Sequence, residues 1–321
     1  MALSRLHVTG LIAAACSTLP AAVFACSSCG CTLNSEWASQ GFKSAGGLSL
    51  DLRFDHFNQN QLRTGTGRVS RSARAVPADR EIQKKTINRN TTLTVDYGFN
   101  AEWGVSVQLP YLHRYHTSYA EEGDTALSGS RSSSLGDVRV LGRYQGFSPE
   151  RDWGVQLGLK LPTGEVHRDF RSGPQVGQPL DRGLSPGTGT TDLLLGLYKF
   201  GPINQRFDYF ASALLQLPLS SSDHFKPGDG ANLTAGVRYA TGGRLVPHVQ
   251  INVRTEKPEK GSNADVHNAG ATLAYLSPGL TAALTDKLQV YGFVQVPIYQ
   301  RVNGYQIEPR YSASVGLHYT H

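Results

Sequence analysis

The sequence predicts an all-β fold, an antiparallel transmembrane β-barrel of about 12 strands with short periplasmic turns and longer extracellular loops. Three observations predict it. The first is alternation. From Trp153 to Leu161 every odd position is apolar and every even one is glycine or polar, the period of a strand with two unlike faces. Trp103 to Leu109 and Tyr311 to Tyr319 repeat the pattern. The second is a sorting of connections, short after every second strand and long after the others. A soluble sandwich has no reason to sort its loops, whereas a barrel inserted from one side does. The third is composition. The 321 residues include 35 glycines and are 17% charged, against about 25% charged in ordinary globular chains. This excludes disordered polyampholytes, coiled coils and helix-rich domains. No apolar run of about 18 residues occurs beyond the N-terminus, so a polytopic helical membrane protein is excluded. A net charge of +6 without a Lys/Arg-rich block leaves no nucleic-acid footprint.

Residues 1–25 read as a secretory signal. Arg5 gives the positive region, Val8 to Phe24 is apolar, and Ala25 offers a small residue for cleavage. Residues 26–45 then form a periplasmic segment carrying Cys26, Cys29 and Cys31, and 46–321 form the barrel. Exported thiols are read first as disulfides, so the simple reading is a local disulfide with one spare thiol. The other is a soft-metal site, since closely spaced thiolates suit copper(I) or zinc. Four-ligand zinc lacks a second cysteine pair, and haem attachment lacks the histidine that Gly30 replaces. No cofactor is otherwise expected. Cys26 also offers a faint lipoprotein-type acylation junction. Trp37 and Phe42 would anchor the segment in or over the lumen.

The strands fall at 47–58, 86–98, 103–116, 135–146, 153–164, 189–201, 207–219, 229–240, 245–256, 268–276, 287–300 and 309–321, with 280–284 extending the tenth past a bulge at Pro278-Gly279. Short turns are expected at 99–102, 147–152, 202–206 and 241–244. Long polar loops are expected at 59–85, 117–134 and 165–188, with shorter ones at 220–228, 257–267 and 301–308. Ser128 to Ser134 and Ser220 to Ser222 read as surface loop. Pro110, Pro162, Pro218 and Pro297 each follow an apolar residue late in a strand. Proline lacks the ladder donor and so belongs at strand ends or bulges. Trp103, Trp153, Phe207 and Tyr291 lie toward the other end or the middle, as an interfacial aromatic girdle would place some of them.

The face opposite the apolar one is small and polar: Gly104, Ser106 and Gln108; Gly154, Gln156 and Gly158; Ser312, Ser314 and Gly316. A soluble barrel fills its interior with branched side chains, so the apolar face here is assigned to lipid and the polar face to a lumen. That parity turns Arg53, Arg139, Arg143, Lys160, Arg238, Arg254 and Arg310 inward as bases. Asp51, Asp55, Asp96, Asp137 and Asp192 turn inward as acids, with His248 and His318. Most would pair across strands and stiffen the barrel, leaving a slight positive bias for anions. No Ser/His/Asp set has a recognisable spacing, so no catalytic residue is assigned and the chain is read as not an enzyme. The final strand carries Tyr319 near its end, as outer-membrane insertion signals do, although His321 follows it.

Leu161-Pro162-Thr163-Gly164, then a glycine-rich stretch, then Gly187-Thr188-Gly189-Thr190-Thr191-Asp192 resembles the outer-membrane channel family of the meta-pathway phenol-degradation type. The resemblance spans about 46–321 and implies a barrel passing small, often aromatic or apolar, molecules. It implies the outer membrane of a Gram-negative bacterium, with outer-membrane lipid, a small-molecule solute and the barrel-assembly machinery as partners. The even strand count, with both termini on one side, places the N-terminus in the periplasm. Two other readings are a metal-handling or electron-transfer accessory protein using the cysteine cluster, and a barrel enzyme.

Overall fold

The computed structural model describes residues 46–70, 81–120, 125–240 and 242–321, so the expected signal segment and Cys26, Cys29 and Cys31 lie outside the described residues. The strands are β1 (Gly47–Gly65), β2 (Gly67–Arg68), β3 (Ile82–Gly98), β4 (Trp103–Tyr119), β5 (Ser128–Leu135), β6 (Arg139–Tyr144) and β7 (Trp153–Lys160). They continue as β8 (Asp192–Pro202), β9 (Phe207–Pro218), β10 (Gly230–Tyr239), β11 (Leu245–Glu256), β12 (Ala271–Ala283) and β13 (Leu288–Thr320). All belong to one sheet, each pairs antiparallel with its neighbours, and β13 pairs with β1, so the sheet closes.

The 13 segments trace twelve passes of the barrel. β13 climbs along β12 with residues 289–302, turns at Asn303 and Gly304, and descends along β1 as far as Thr320. Gly304 takes φ 51° at that turn, a left-handed conformation that glycine adopts without penalty. β5 and β6 pair with successive stretches of β4 and together make one pass. β2 is a two-residue stub on β1.

Three of the short turns use one device. The Asn100 side chain accepts hydrogen bonds from the N–H groups of Glu102 and Trp103, Asn204 from Arg206 and Phe207, and Thr285 from Lys287 and Leu288. A short polar side chain that imitates the backbone closes each turn within four residues.

The alternation sorts the two faces as the sequence predicts. Leu157 (60% exposed), Leu197 (50%) and Val315 (50%) stand on the outside, among a belt of exposed leucine, valine and isoleucine. At the short-turn rim aromatic rings touch in series: Trp103 with Tyr144, Tyr144 with Phe147, and Phe147 stacked on Trp153 at 4.2 Å. Tyr97 with Phe99 and Phe207 with Tyr239 continue it. Tyr291, expected with these, is instead buried inside and donates to Asp51.

Several expectations are corrected. Ser128 to Ser134 is wall and not loop: β5 pairs there with β4 across Tyr111–Ser118. The stretch 301–308 is not a polar loop, because both limbs of β13 run up to the turn at Gly304. Pro110 and Pro297 do not end strands. Pro110 lies opposite the β5–β6 break, where Gly136 N–H donates to its carbonyl, and Pro297 lies at a register slip against Ala274 and Tyr275. Each proline therefore sits where the ladder is interrupted and its missing donor costs little. β12 runs through Pro278-Gly279 in unbroken register with β11, so the expected bulge there is absent and the slip lies at Ala274/Tyr275 instead.

Tight curvature between β6 and β7 rests on a small residue. A Cβ at Gly158 would overlap the Val140 carbonyl oxygen, whereas one at outward-facing Gly142 meets nothing nearer than 3.6 Å. Gly158→Val is therefore expected to cost about 1–3 kcal/mol, the usual cost of overpacking. Gly142→Ala should stay within about 0.5 kcal/mol of the parent. Urea unfolding in detergent, followed by heat-modifiable gel mobility, measures both; equal midpoints for the two variants would contradict the assignment.

Candidate functional site

The inward faces of the strands and the long connections of the loop end together enclose a cavity. Its wall includes Arg53 of β1, Asn90 of β3, Gln108 and Arg114 of β4, Gln216 of β9, Asn232 of β10 and Arg254 of β11. Its roof is the connection 161–191, through Arg182, Gly183, Ser185, Pro186 and Thr188, with Phe225, Pro227 and Glu259 from neighbouring loops. Residues 182–187 of that connection are buried. It therefore folds into the barrel mouth and does not extend away from it.

Side chains of the wall hold the roof. Asp137 accepts hydrogen bonds from the N–H of Gly164 (3.0 Å) and of Thr188 (3.0 Å), which lie on the two limbs of the connection. Lys160 lies between Asp137 (3.1 Å) and Asp192 (3.0 Å) and also donates to Thr188 and Thr190. Arg114 donates to Asn88 and to the carbonyls of Gly183 (3.2 Å) and Ser185 (3.4 Å). Arg182 reaches Asp223 (3.2 Å) and Ser222 and lies over the Phe225 ring. A short 3-10 turn at Arg182–Leu184 is capped by Asp181, whose side chain accepts from Gly183 N–H.

Below the cavity, toward the short turns, the interior is packed. Leu141, Leu194 and Leu214 form one apolar group and Tyr198, Phe200 and Phe210 another. Arg143 bonds Asp96 (2.8 Å) there, Tyr198 donates to Gln145, and Arg238 lies over Phe210 near Asp208 (3.8 Å).

Of the inward candidates, Arg53, Asp137, Arg143, Lys160, Arg238, His248 and Arg254 are buried, with Asp96 and Arg139 partly so. Arg53 bonds Asp55 (2.9 Å), and Arg254 bonds Glu256. His318 lies 3.6 Å from Asp51. The cavity brings together Arg53, Asp137, Arg139, Lys160 and Arg254. It does not take in Arg143, Asp96, Arg238 or His248, which lie nearer the short turns. Arg310 is exposed on the outer surface. The β1–β13 register shifts between Phe57↔Ser312 and Gln59↔Pro309 and returns by Gln61↔Glu308, a local bulge that leaves Arg310 and Tyr311 both exposed while Glu308 and Ser312 on either side stay buried. Arg114, absent from the inward set predicted by alternation, has the same parity as Gln108 and is open to the same argument. Arg182 and Glu259 sit on connections without periodicity, so no pattern in the sequence points to them.

Among the described residues no group of three or more His, Cys, Asp or Glu side chains is placed to hold a metal. The metal reading rests on Cys26, Cys29 and Cys31, outside those residues.

No family model matches the chain, and no curated protein matches it. Solved structures do. An outer membrane channel from Pseudomonas putida F1 superposes with a TM-score of 0.65 at 11% identity, covering 88% of this chain and 98% of that one. The beta domain of the Bordetella autotransporter Brka gives 0.48 at 14% identity over 86% of this chain and 100% of that one. The Ralstonia pickettii toluene transporter TbuX gives 0.45 at 9% identity over 86% and 90%. At such identities the likeness is one of fold: a closed outer-membrane-type barrel.

The roof can be tested at two carboxylates. Asp137→Ala removes the acceptor shared by both limbs of the connection and half of the carboxylate pair around Lys160. Breaking a buried ion pair from one side costs on the order of 3 kcal/mol, so the connection 161–191 should become accessible to protease. Parental protease resistance would refute the latch. The second carboxylate is Asp181, pushed up to about 6 by burial first and then by Asp265 and Glu81, against the pull of Gly183 N–H and Arg114. In the unfolded chain that carboxyl titrates near about 3.9. The docked roof thus keeps a proton that the undocked one has lost, and docking strengthens as pH falls from about 6 toward 4 and weakens as pH rises through 6. Protease protection of 161–191 should be greater at about pH 5 than at about pH 7.5, and Asp181→Asn should flatten that difference.

Proposed function

We propose that this chain is an outer-membrane channel through which small molecules pass passively, with its short turns and N-terminus on the periplasmic side. The observation that carries the reading is the pairing of an apolar exterior with a closed ladder around a polar, cavity-bearing interior. In hydrocarbon every backbone N–H and C=O needs an internal partner, and a sheet closed by β13 and β1 supplies one along the wall. The aromatic rim at the short turns is where a membrane interface would lie. The fold shared with the outer membrane channel of Pseudomonas putida F1 supports the same reading.

The Leu161–Gly164 and Gly187–Asp192 motifs supply a further reason to group this chain with the phenol-degradation-type channels, since both motifs lie at the neck of the roof. On that reading the solutes are compact and include aromatic or apolar ones. The cavity is small for a general porin, about 160 Å³, which favours solutes of a few to about ten heavy atoms. Residues 26–45 are proposed to lie at the periplasmic mouth, after removal of 1–25. The assembly machinery of the outer membrane would insert the barrel.

Liposome swelling with purified full-length protein tests the proposal. Solutes of graded size should enter with a steep cut-off at small dimensions, and Asp137→Ala should move the cut-off upward. Absence of swelling with every solute would overturn the channel reading.

A further inference from the structure

The cavity wall is chemically uneven. Six cationic side chains line it: Arg53, Arg114, Arg139, Lys160, Arg182 and Arg254. Only Asp137, Glu256 and Glu259 among its lining residues carry carboxylates. Other balancing acids are buried beside these cations and outside the cavity lining, as Asp55 (1% exposed) is beside Arg53 and Asp192 (0%) beside Lys160. The surface that a solute would meet is thus cationic, even where the interior as a whole is balanced. At short range the facing groups dominate, because the Coulomb energy falls with distance and is weakened least in a partly dry site.

Arg139 is the least engaged of this set, since Arg114 donates to Asn88 and to the carbonyls of Gly183 and Ser185. Lys160 is held by two carboxylates, Arg254 by Glu256, Arg53 by Asp55 and Arg182 by Asp223. The Arg139 guanidinium donates to a neutral acceptor, Gln216 Oε1, at 3.3 Å, and no carboxylate lies within ion-pair distance of it among the described residues. The same Gln216 turns its amide N–H toward Asp192, which fixes the oxygen end on Arg139. A guanidinium has five donors in a planar fork that matches a carboxylate, and one long bond to an amide leaves most of that capacity unused. The same lining carries apolar surfaces: Pro110 and Leu112 on β4, the strand that pairs with Arg139 through Gln108, and Pro186, Phe225 and Pro227 from the connections.

We propose that the cavity is a binding station for a small organic monoanion, a carboxylate on a compact apolar body, with Arg139 gripping the carboxylate and the proline, leucine and phenylalanine surfaces receiving the body. This rests on the channel reading for its role in passage but not for its binding chemistry. A bidentate Arg–carboxylate contact within the wall gives orientation as well as attraction. The surrounding cations concentrate anions at the site. The paired state of its neighbours keeps the grip from becoming a trap, since conduction needs binding that also releases.

The test uses the full-length protein in detergent and in planar bilayers, with benzoate as the anionic probe and benzamide as its neutral isostere. Calorimetric titration at neutral pH should show benzoate binding at least about tenfold more tightly than benzamide, the scale of one charge-assisted contact. Arg139→Gln should bring the two together, and Arg139→Lys should keep part of the preference, which separates loss of charge from loss of fold. Arg310→Gln, on the outer surface, should leave the preference unchanged. Reversal potentials under a potassium benzoate/potassium chloride gradient read passage separately. Benzoate that binds through Arg139 but carries no current upholds the station and overturns the channel reading. Benzoate current without preferential binding overturns the station and leaves the channel. Equal affinity for the two probes, or a preference that survives Arg139→Gln, overturns the proposal.

Discussion

The ladder between β13 and β1 is the contact on which the rest of this structure depends. A sheet with a free edge leaves a column of unpaired N–H and C=O groups, and in hydrocarbon each would cost several kcal/mol. Pairing Ser49 with Thr320 and continuing up to Gly65 removes both edges at once. Once the edges are gone, each side chain has two choices, lumen or exterior. Parity along the strand then decides between them for every residue between slips. The seam is reinforced from inside, where Tyr291 and Ser314 donate to Asp51 and Asp55.

Closure also dictates what the interior does with charge. An ion turned inward leaves bulk water, so it needs a partner within reach. Arg143 reaches Asp96 two passes away, Lys160 takes Asp137 and Asp192, and Arg254 takes Glu256 two residues on. Of these, Arg143–Asp96 ties non-neighbouring passes together, the Lys160 pairs join adjacent passes, and Arg254–Glu256 lies along one strand. The lower half carries its rigidity differently, through the buried rings of Tyr198, Phe200 and Phe210. The result is a barrel filled by side chains toward the turns and roofed by backbone toward the loops, with the cavity between.

Each feature is legible in the sequence to the extent that local residues set it. Alternation is written residue by residue, so the facing of Gly154 to Lys160 or of Ser312 to His318 can be read directly. Strand height cannot be read that way. Ser128 to Leu135 has the composition of a loop and becomes wall because β4 offers it a long unpaired edge, a constraint from elsewhere in the chain. Slips are also invisible locally. Nothing near Arg310 in the sequence announces the local bulge that leaves it outward, since that bulge is a relation between two strands about 250 residues apart. The prolines come closest to reporting such places, with Pro110 and Pro297 both marking interruptions of pairing.

The Leu161–Gly164 and Gly187–Asp192 stretches show how a short motif can carry an architectural instruction. Gly164 and Gly187 face each other at the neck of the roof, where a Cβ on either would overlap the other's backbone. The close approach brings the two limbs within reach of one carboxylate, Asp137, which neither limb supplies. Thr163 bonds the backbone at Gly136 and Val138 on the adjacent wall, and Thr190 bonds Asp192 at the start of β8. Small residues thus permit the neck, and hydroxyl groups fasten it to the strands on either side. Without the glycines the limbs would separate and Asp137 could hold only one. Without Asp137 the narrow neck would leave Lys160 short of a partner. The motif and the buried acid therefore form one device, and it is that device which turns a long connection from an external loop into the ceiling of the cavity.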